Sequence, residues 1–296
     1  MEPKKPSSMT PIMLLFRAIV DFILYSNLWI ALAALALAAQ TQLLLSGRIT
    51  PTPLLGFIFF ATLLLYAVHR IVGLEKAQPF LKTGRFFVVS RFRRQIMAFA
   101  AAAGIGAAAF FFQLSFRLQL AAIAPSLTAL GYVLPFLSGR RRLRDLNYIK
   151  NFLVAFAWSW VTVLLPALEM GMGWSLPMIV MLLERAFFIF AISLPFDIRD
   201  LEVDAYNQVK TLPAQLGRRR TKALALACLL AMAALAGVNY HIDVYSSGTF
   251  SALLLSGLAA FALICFADKV KHDYYFSGLI DGVMVLQLGL VCLLQA

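Results

Sequence analysis

Long apolar runs, separated by short basic segments, pattern the chain from about residue 11 to its end. The runs fall at about 11–45, 53–72, 96–114, 118–137, 149–168, 176–198, 222–240, 249–267 and 274–294. A helix needs roughly 20 apolar residues to cross the hydrocarbon core of a bilayer, and these runs reach or approach that length. The pattern predicts an all-α integral membrane protein of nine transmembrane helices: one domain over residues 11–296 behind a polar tail, residues 1–10. Pro125, Pro135 and Pro195 fall inside or at the edge of runs, which a bundle tolerates because neighbouring helices satisfy the freed backbone groups. No repeat of fixed length is visible, so neither a solenoid nor an inverted-repeat transporter gains support.

Composition sharpens this picture. Of the 296 residues, 61% are hydrophobic and 14% charged, which excludes an ordinary soluble domain. The net charge of +12 lies in segments between apolar runs, so it points to topology and to anionic lipid or substrate, not to nucleic acid. With the N-terminus inside, Lys4, Lys5 and the basic residues of the segments at 70–95, 139–150, 199–222 and 268–273 all fall on the cytoplasmic side. Only Arg48 and Arg117 fall in the opposite loops. That bias predicts a cytoplasmic N-terminus, a C-terminus on the other side, and residence in the inner (cytoplasmic) membrane. Cys228, Cys265 and Cys292 lie in apolar runs far apart; they read as small buried hydrophobes with no disulfide. Arg17 and Asp21 stand at i, i+4 and are expected to pair.

Acidic residues crowd at one place, the end of the run at 176–198. Asp197, Asp200 and Asp204 stand at i, i+3 and i+7 and so share one helix face. Three carboxylates stacked near a helix C-terminus repel one another and the macrodipole, so a cation is expected among them. Hard oxygen ligands suit Mg²⁺, which completes its shell with water and phosphate. The competing reading is a solvated loop.

The continuation narrows the choice. Asp197-Ile-Arg-Asp200-Leu-Glu-Val-Asp204 is followed by Lys210-Thr211-Leu212-Pro213-Ala-Gln-Leu216-Gly217. This resembles the second acidic motif of the UbiA-type intramembrane prenyltransferases, with its Gly-x-x-Thr-Leu-Pro-x-x-Leu-Gly continuation; Gln208 stands where the family usually has glycine. The resemblance implies a nine-helix bundle whose central cavity opens to the cytoplasmic side, and Mg²⁺-dependent transfer of a prenyl group from an isoprenyl diphosphate to a hydrophobic acceptor. It gives Asp197, Asp200 and Asp204 the catalytic and metal-binding roles. After the second helix the family carries Asn-Asp-x-x-Asp-x-x-x-Asp. This chain reads Tyr66-Ala-Val-His69-Arg70-Ile-Val-Gly73-Leu-Glu75-Lys76, with no aspartate.

That departure leaves Arg70 as a direct diphosphate contact or His69 as a metal ligand, with an ordinary interfacial histidine the competing reading. Arg140, Arg141, Lys150 and Lys210 are further candidates for the diphosphate, although a basic loop facing lipid headgroups explains the arginines as well. Asn27, Tyr66, His69, Tyr132, Asn151 and Trp158 are pocket candidates, the aromatic faces suiting a carbocation, with packing and helix–helix hydrogen bonds as alternatives. Glu184, Arg185 and Asp281 lie deep in apolar runs, where charges are costly and usually paired, so Arg185 is expected to pair with Asp281. Two functions from different classes follow: an Mg²⁺-dependent prenyltransferase, or an inactive or altered relative that binds isoprenoid lipid or serves as a membrane partner protein.

Overall fold

A computed structural model describes residues 10–81, 84–135 and 142–295. Helices joined by short loops make up these residues, without a strand among them. The helices are α1 (Pro11–Tyr25), α2 (Leu28–Ser46), α3 (Pro53–Glu75), α4 (Gly84–Arg91), α5 (Arg93–Phe111) and α6 (Phe116–Val133). They continue as α7 (Lys150–Ser159), α8 (Leu165–Glu169), α9 (Leu176–Arg199), α10 (Leu201–Tyr206), α11 (Leu212–His241), α12 (Ser247–Phe266) and α13 (Asp281–Leu294). A π-helical segment, Trp160–Leu164, joins α7 to α8, and another, Tyr274–Ile280, leads into α13. Among the described residues eight helical spans are long and apolar enough to cross a membrane. The less apolar α6 packs among them, against α3 and α7. The protein is a multi-pass membrane protein.

Helix starts follow local chemistry. Thr52, Ser175 and Thr211 occupy N-cap positions, each with a proline one or two residues on (Pro53, Pro177 and Pro213). Proline suits the first turn because its missing N–H is one the helix leaves unpaired. The first apolar run is not one helix, as its pattern suggests. It breaks between α1 and α2 at Asn27, whose φ of 68° is left-handed. Apolar periodicity does not report such a break, because the residues on both sides stay hydrophobic. The α1 side chains Ile12, Phe16 and Ile19 remain exposed, a lipid-facing surface in a bilayer.

At the centre, α9 packs against α11 and α7, and α2 lies between α3 and α13. Phe188, Leu194, Met232 and Phe276 are fully buried there. Helices α3 and α5 interlock through glycine. A Cβ on Gly56 would stand 2.7 Å from the Phe110 ring, and one on Gly106 would stand 2.8 Å from Phe60. The two phenylalanines stack on each other, centroids 5.7 Å apart. Small residues permit such close approach where apolar burial drives little association in lipid.

The expected pairing of Arg185 with Asp281 does not occur. Arg185 Nη1 instead donates to Leu37 O at 3.1 Å and to Thr162 Oγ1 at 3.2 Å. Thr162 lies in the π segment, and its carbonyl accepts from Thr41 Oγ1 at 2.6 Å, so the irregular turn supplies acceptors inside the bundle. The adjacent Glu184 points elsewhere and accepts from the Tyr245 hydroxyl at 2.9 Å. Asp281 lines a cavity, which places it on a different side of the core. The rotation of α9 decides this, and depth along the sequence does not encode rotation. Arg17 and Asp21 do approach, at 3.8 Å, and the three cysteines are free. Cys228 is buried as expected, but Cys265 is half-buried and Cys292 is exposed on the outside of the bundle.

Candidate functional site

A cavity of about 270 Å³ opens among α3, α7, α9, α10 and the start of α13. Six of the chain's 14 acidic residues and seven basic ones line it, all near one end of the bundle. Its deeper wall is apolar and aromatic, with Trp29, Ile30, Tyr66, Trp158 and Met284. A smaller apolar cleft of about 90 Å³ between α3, α6 and α7 shares Tyr66, His69, Tyr132 and Trp158 with it.

The acidic wall forms as its spacing predicts. Asp197 lies in the last turn of α9, Asp200 caps it, and Asp204 lies on α10, with the Asp204 N–H bonded to Asp200 O at 2.9 Å. The chain thus passes from one helix to the next almost without turning, which keeps all three carboxylates on the cavity. Beyond α10 the backbone doubles back at Gln208, with φ of 57°. This is where the family has glycine, the residue that takes a left-handed conformation freely; a glutamine there costs about 1 kcal/mol.

Every one of these carboxylates faces a protein cation. The Lys150 ammonium, at the start of α7, lies 2.6 Å from Asp197 Oδ1 and donates to Asp204 Oδ2 at 3.3 Å. The Asp197 contact is an ion pair without hydrogen-bond alignment, so both Asp197 oxygens, 1% exposed, lack a directional donor among the described residues. Asp200 Oδ1 receives Arg85 Nη2 and Arg199 Nε, each at 2.8 Å. Burial by itself raises the Asp200 carboxyl, but Arg199 and Arg85 override it and hold the group well below the usual carboxylate range. Arg85 and Arg199 also approach Asp273, at 3.8 and 3.3 Å. Asp145 shows the same balance: burial raises it, and hydrogen bonds from Arg142 and Lys76 bring it well below its ordinary value.

The opposite wall is cationic. Arg70 donates to Leu24 O at 2.9 Å and stands 5.6 Å from the Tyr25 ring centroid. Arg144 contacts His69 Nε2 and lies over the Tyr132 ring at 5.1 Å. Neither guanidinium has a carboxylate within ion-pair distance among the described residues. A donating arginine leaves His69 as acceptor, so its Nε2 lone pair is occupied by a protein cation.

Of the residues expected from sequence, Asp197, Asp200, Asp204, Arg70, Lys150, Tyr66, His69, Tyr132, Trp158 and Asn151 all line the cavity. Asn151 donates to Ser193 Oγ at 2.9 Å. Two do not line it. Lys210 is exposed, its backbone tied to Tyr148 and Asn147. Asn27 is fully buried at the α1–α2 break, with neither side-chain polar atom bonded among the described residues. Arg140 and Arg141 lie outside the described residues. Sequence reasoning passed over Arg85, Arg144 and Asp273. Their only signal was membership of basic loops assigned to the same mouth.

The described residues thus form a multi-pass helical membrane bundle with a charge-lined cavity near one end. The chain belongs to the UbiA prenyltransferase family, whose model matches residues 89–275. The match begins beyond the α3 stretch that lacks the first acidic motif. No curated protein matches the sequence significantly. Among solved structures the chain is similar to a UbiA homologue from Aeropyrum pernix K1, at 14% identity and a TM-score of 0.65, covering 94% of this chain and 99% of that one. It is also similar to a UbiA homologue from Archaeoglobus fulgidus bound to GPP and Mg²⁺, at 10% identity and a TM-score of 0.58, covering 92% and 98%. A third likeness is to a digeranylgeranylglyceryl phosphate synthase, at 13% identity and a TM-score of 0.59, covering 95% and 100%. These likenesses establish the fold.

The carboxylates as arranged do not fit an ion such as the Mg²⁺ bound to the Archaeoglobus fulgidus homologue. Lys150 stands between Asp197 and Asp204, two arginines share Asp200, and His69 faces Arg144. Among the described residues no three Asp, Glu, His or Cys side chains are disposed to hold an ion.

Proposed function

We propose that the cavity receives an isoprenyl diphosphate and that the protein transfers its prenyl group to an aromatic or other hydrophobic acceptor drawn from the membrane. The observation that carries this reading is the pair Arg70 and Arg144, two guanidiniums without carboxylate partners among the described residues, at the rim of an aromatic-walled cavity. Guanidinium forks match phosphate oxygens in bidentate fashion, and fixed cations stabilise charge as it develops on a leaving group. The allylic carbon–oxygen bond breaks with its electron pair leaving on the diphosphate. An electron pair of the acceptor then closes a new bond to that carbon, and the acceptor gives up a proton. Tyr66 and Trp158, with Tyr132 beside them, present aromatic faces to the cation formed between these events. The prenyl tail runs along Tyr66 and Trp158 toward the cleft between α3, α6 and α7.

In this reading the aspartates position the cations: Asp197 and Asp204 hold Lys150, and Asp200 holds Arg85 and Arg199. The mouth opens to the cytoplasm, with the N-terminus on that side. The test is purified protein with labelled geranylgeranyl or farnesyl diphosphate, wild type against Asp197→Ala and Asp200→Ala. Loss of diphosphate release in both variants is expected. Release that survives both removes the enzymatic assignment from these residues. A second reading, an isoprenoid-binding relative without transfer, is favoured by the absence of aspartate on α3. It is the outcome if wild type binds the labelled lipid but never releases diphosphate.

A further inference from the structure

The family expectation of a divalent ion meets a lysine in this chain, and that disagreement has a direct consequence. Lys150 opens α7 in the wall of the cavity and is itself buried. Its ammonium contacts Asp197 Oδ1 at 2.6 Å and Asp204 Oδ2 at 3.3 Å, so both carboxylates already face a fixed cation. Across the cavity, the α3 stretch that carries aspartates in the family carries His69 and Arg70, and Arg144 is drawn in over Tyr132. One wall thus carries His69 and Arg70 in place of the aspartates that the family motif has there, and Lys150 stands against the carboxylates of the other.

Resting on the reading of the cavity as a prenyl diphosphate site, we propose that this chain binds the diphosphate without a divalent cation, with Lys150, Arg70 and Arg144 in place of the metal charge. Lys150 is held by Asp197 and Asp204, neither of which is bound to another cation within ion-pair distance among the described residues. The neighbouring pairs Arg85–Asp200 and Arg199–Asp273 lie at 2.8 and 3.3 Å, so these arginines already face carboxylates. Arg70 and Arg144 then meet the diphosphate oxygens directly. Direct contact with the diphosphate oxygens needs fixed cations facing the cavity, and Lys150, Arg70 and Arg144 line it.

The experiment is equilibrium binding of labelled geranylgeranyl diphosphate to the full-length purified protein, in EDTA and in excess Mg²⁺. Wild type is expected to bind with affinities that agree within about threefold in the two buffers. Lys150→Gln removes the built-in charge and is expected to bind at least about tenfold more weakly in EDTA, and to regain affinity when Mg²⁺ enters between the freed carboxylates. Lys150→Arg keeps a cation there and is expected to keep metal-free binding, which separates loss of charge from misfolding. Wild-type binding that appears only with Mg²⁺ overturns the inference and leaves the prenyl diphosphate reading standing. Unchanged binding by Lys150→Gln in EDTA also overturns it. No binding in either buffer overturns both.

Discussion

Two sets of charge lie inside this bundle, and they are built differently. In mid-bundle, Arg185 is spent on the Leu37 carbonyl and the Thr162 hydroxyl, Glu184 is held by Tyr245, and both side chains are buried away from the charged cavity. At the rim, the carboxylates are tied to cations, but Arg70 and Arg144 rest only on a carbonyl, a histidine nitrogen and aromatic faces. Burial and charge are common to both places. What separates them is whether the guanidinium meets open space: Arg185 is enclosed between helices, whereas Arg70 and Arg144 line the cavity. A buried charge bonded to backbone and hydroxyl groups holds helices together, whereas an unmatched guanidinium facing open space is an anion site.

Mutation breaks or sharpens that contrast. The largest effect is expected from the double variant Arg70→Ala, Arg144→Ala. Hydrogen bonds to charged groups contribute about 1.5–3 kcal/mol each, so prenyl diphosphate affinity falls by roughly 100-fold or more while the melting temperature changes little. Equilibrium binding and thermal melting in detergent, run side by side, check both halves. Arg185→Met should do the reverse. It removes the charged donor that Leu37 O and Thr162 Oγ1 share, at about 1.5–3 kcal/mol for each bond, so melting falls sharply and any surviving fold binds normally. If Arg185→Met abolished binding at an unchanged melting temperature, the division between structural and binding charge would be wrong.

A smaller effect tests how α3, which carries Arg70, is held in place. Gly106→Leu drives a side chain into the Phe60 ring and should destabilise by about 1–3 kcal/mol, read as a lowered melting temperature. The smallest effect is on pH. The Asp200 and Asp145 carboxyls lie below their ordinary value in the folded protein. Their stabilisation is therefore complete above the unfolded carboxylate value of about 4 and is lost only as pH falls below it. Melting should be flat from neutral to mildly acidic pH and drop below about pH 4. A drop already near pH 6 would show that these pairs do not set the acid limit.

Much of this was legible in the sequence, and the parts that were not have a common cause. Apolar run length reported nearly every membrane span, and the i, i+3, i+7 spacing reported the acidic wall, because both are properties of one helix. The Thr-Leu-Pro continuation fixed the start of α11 through N-cap and proline chemistry at Thr211 and Pro213. What escaped depends on two helices at once, or on a single φ angle. The rotation of α9 sends Arg185 to α2 and the π segment instead of to Asp281. The approach of α7 sets Lys150 between two aspartates, about fifty positions away in the chain. Asn27 breaks the first run by turning left-handed inside an apolar stretch. Lys210 lies beside the motif in sequence yet its side chain stands outside, since the turn at Gln208 carries it away.

The proposed function requires one placement: the diphosphate at Arg70, Arg144 and Lys150, with the prenyl chain along Tyr66 and Trp158. Photo-crosslinking with a benzophenone-tailed prenyl diphosphate, followed by peptide mapping, measures that placement directly. The expected adducts fall on the α3 and α7 peptides containing Tyr66 and Trp158, and excess unlabelled geranylgeranyl diphosphate suppresses them. Adducts confined to the lipid-facing surfaces of α5 and α12, unaffected by competitor, would contradict it.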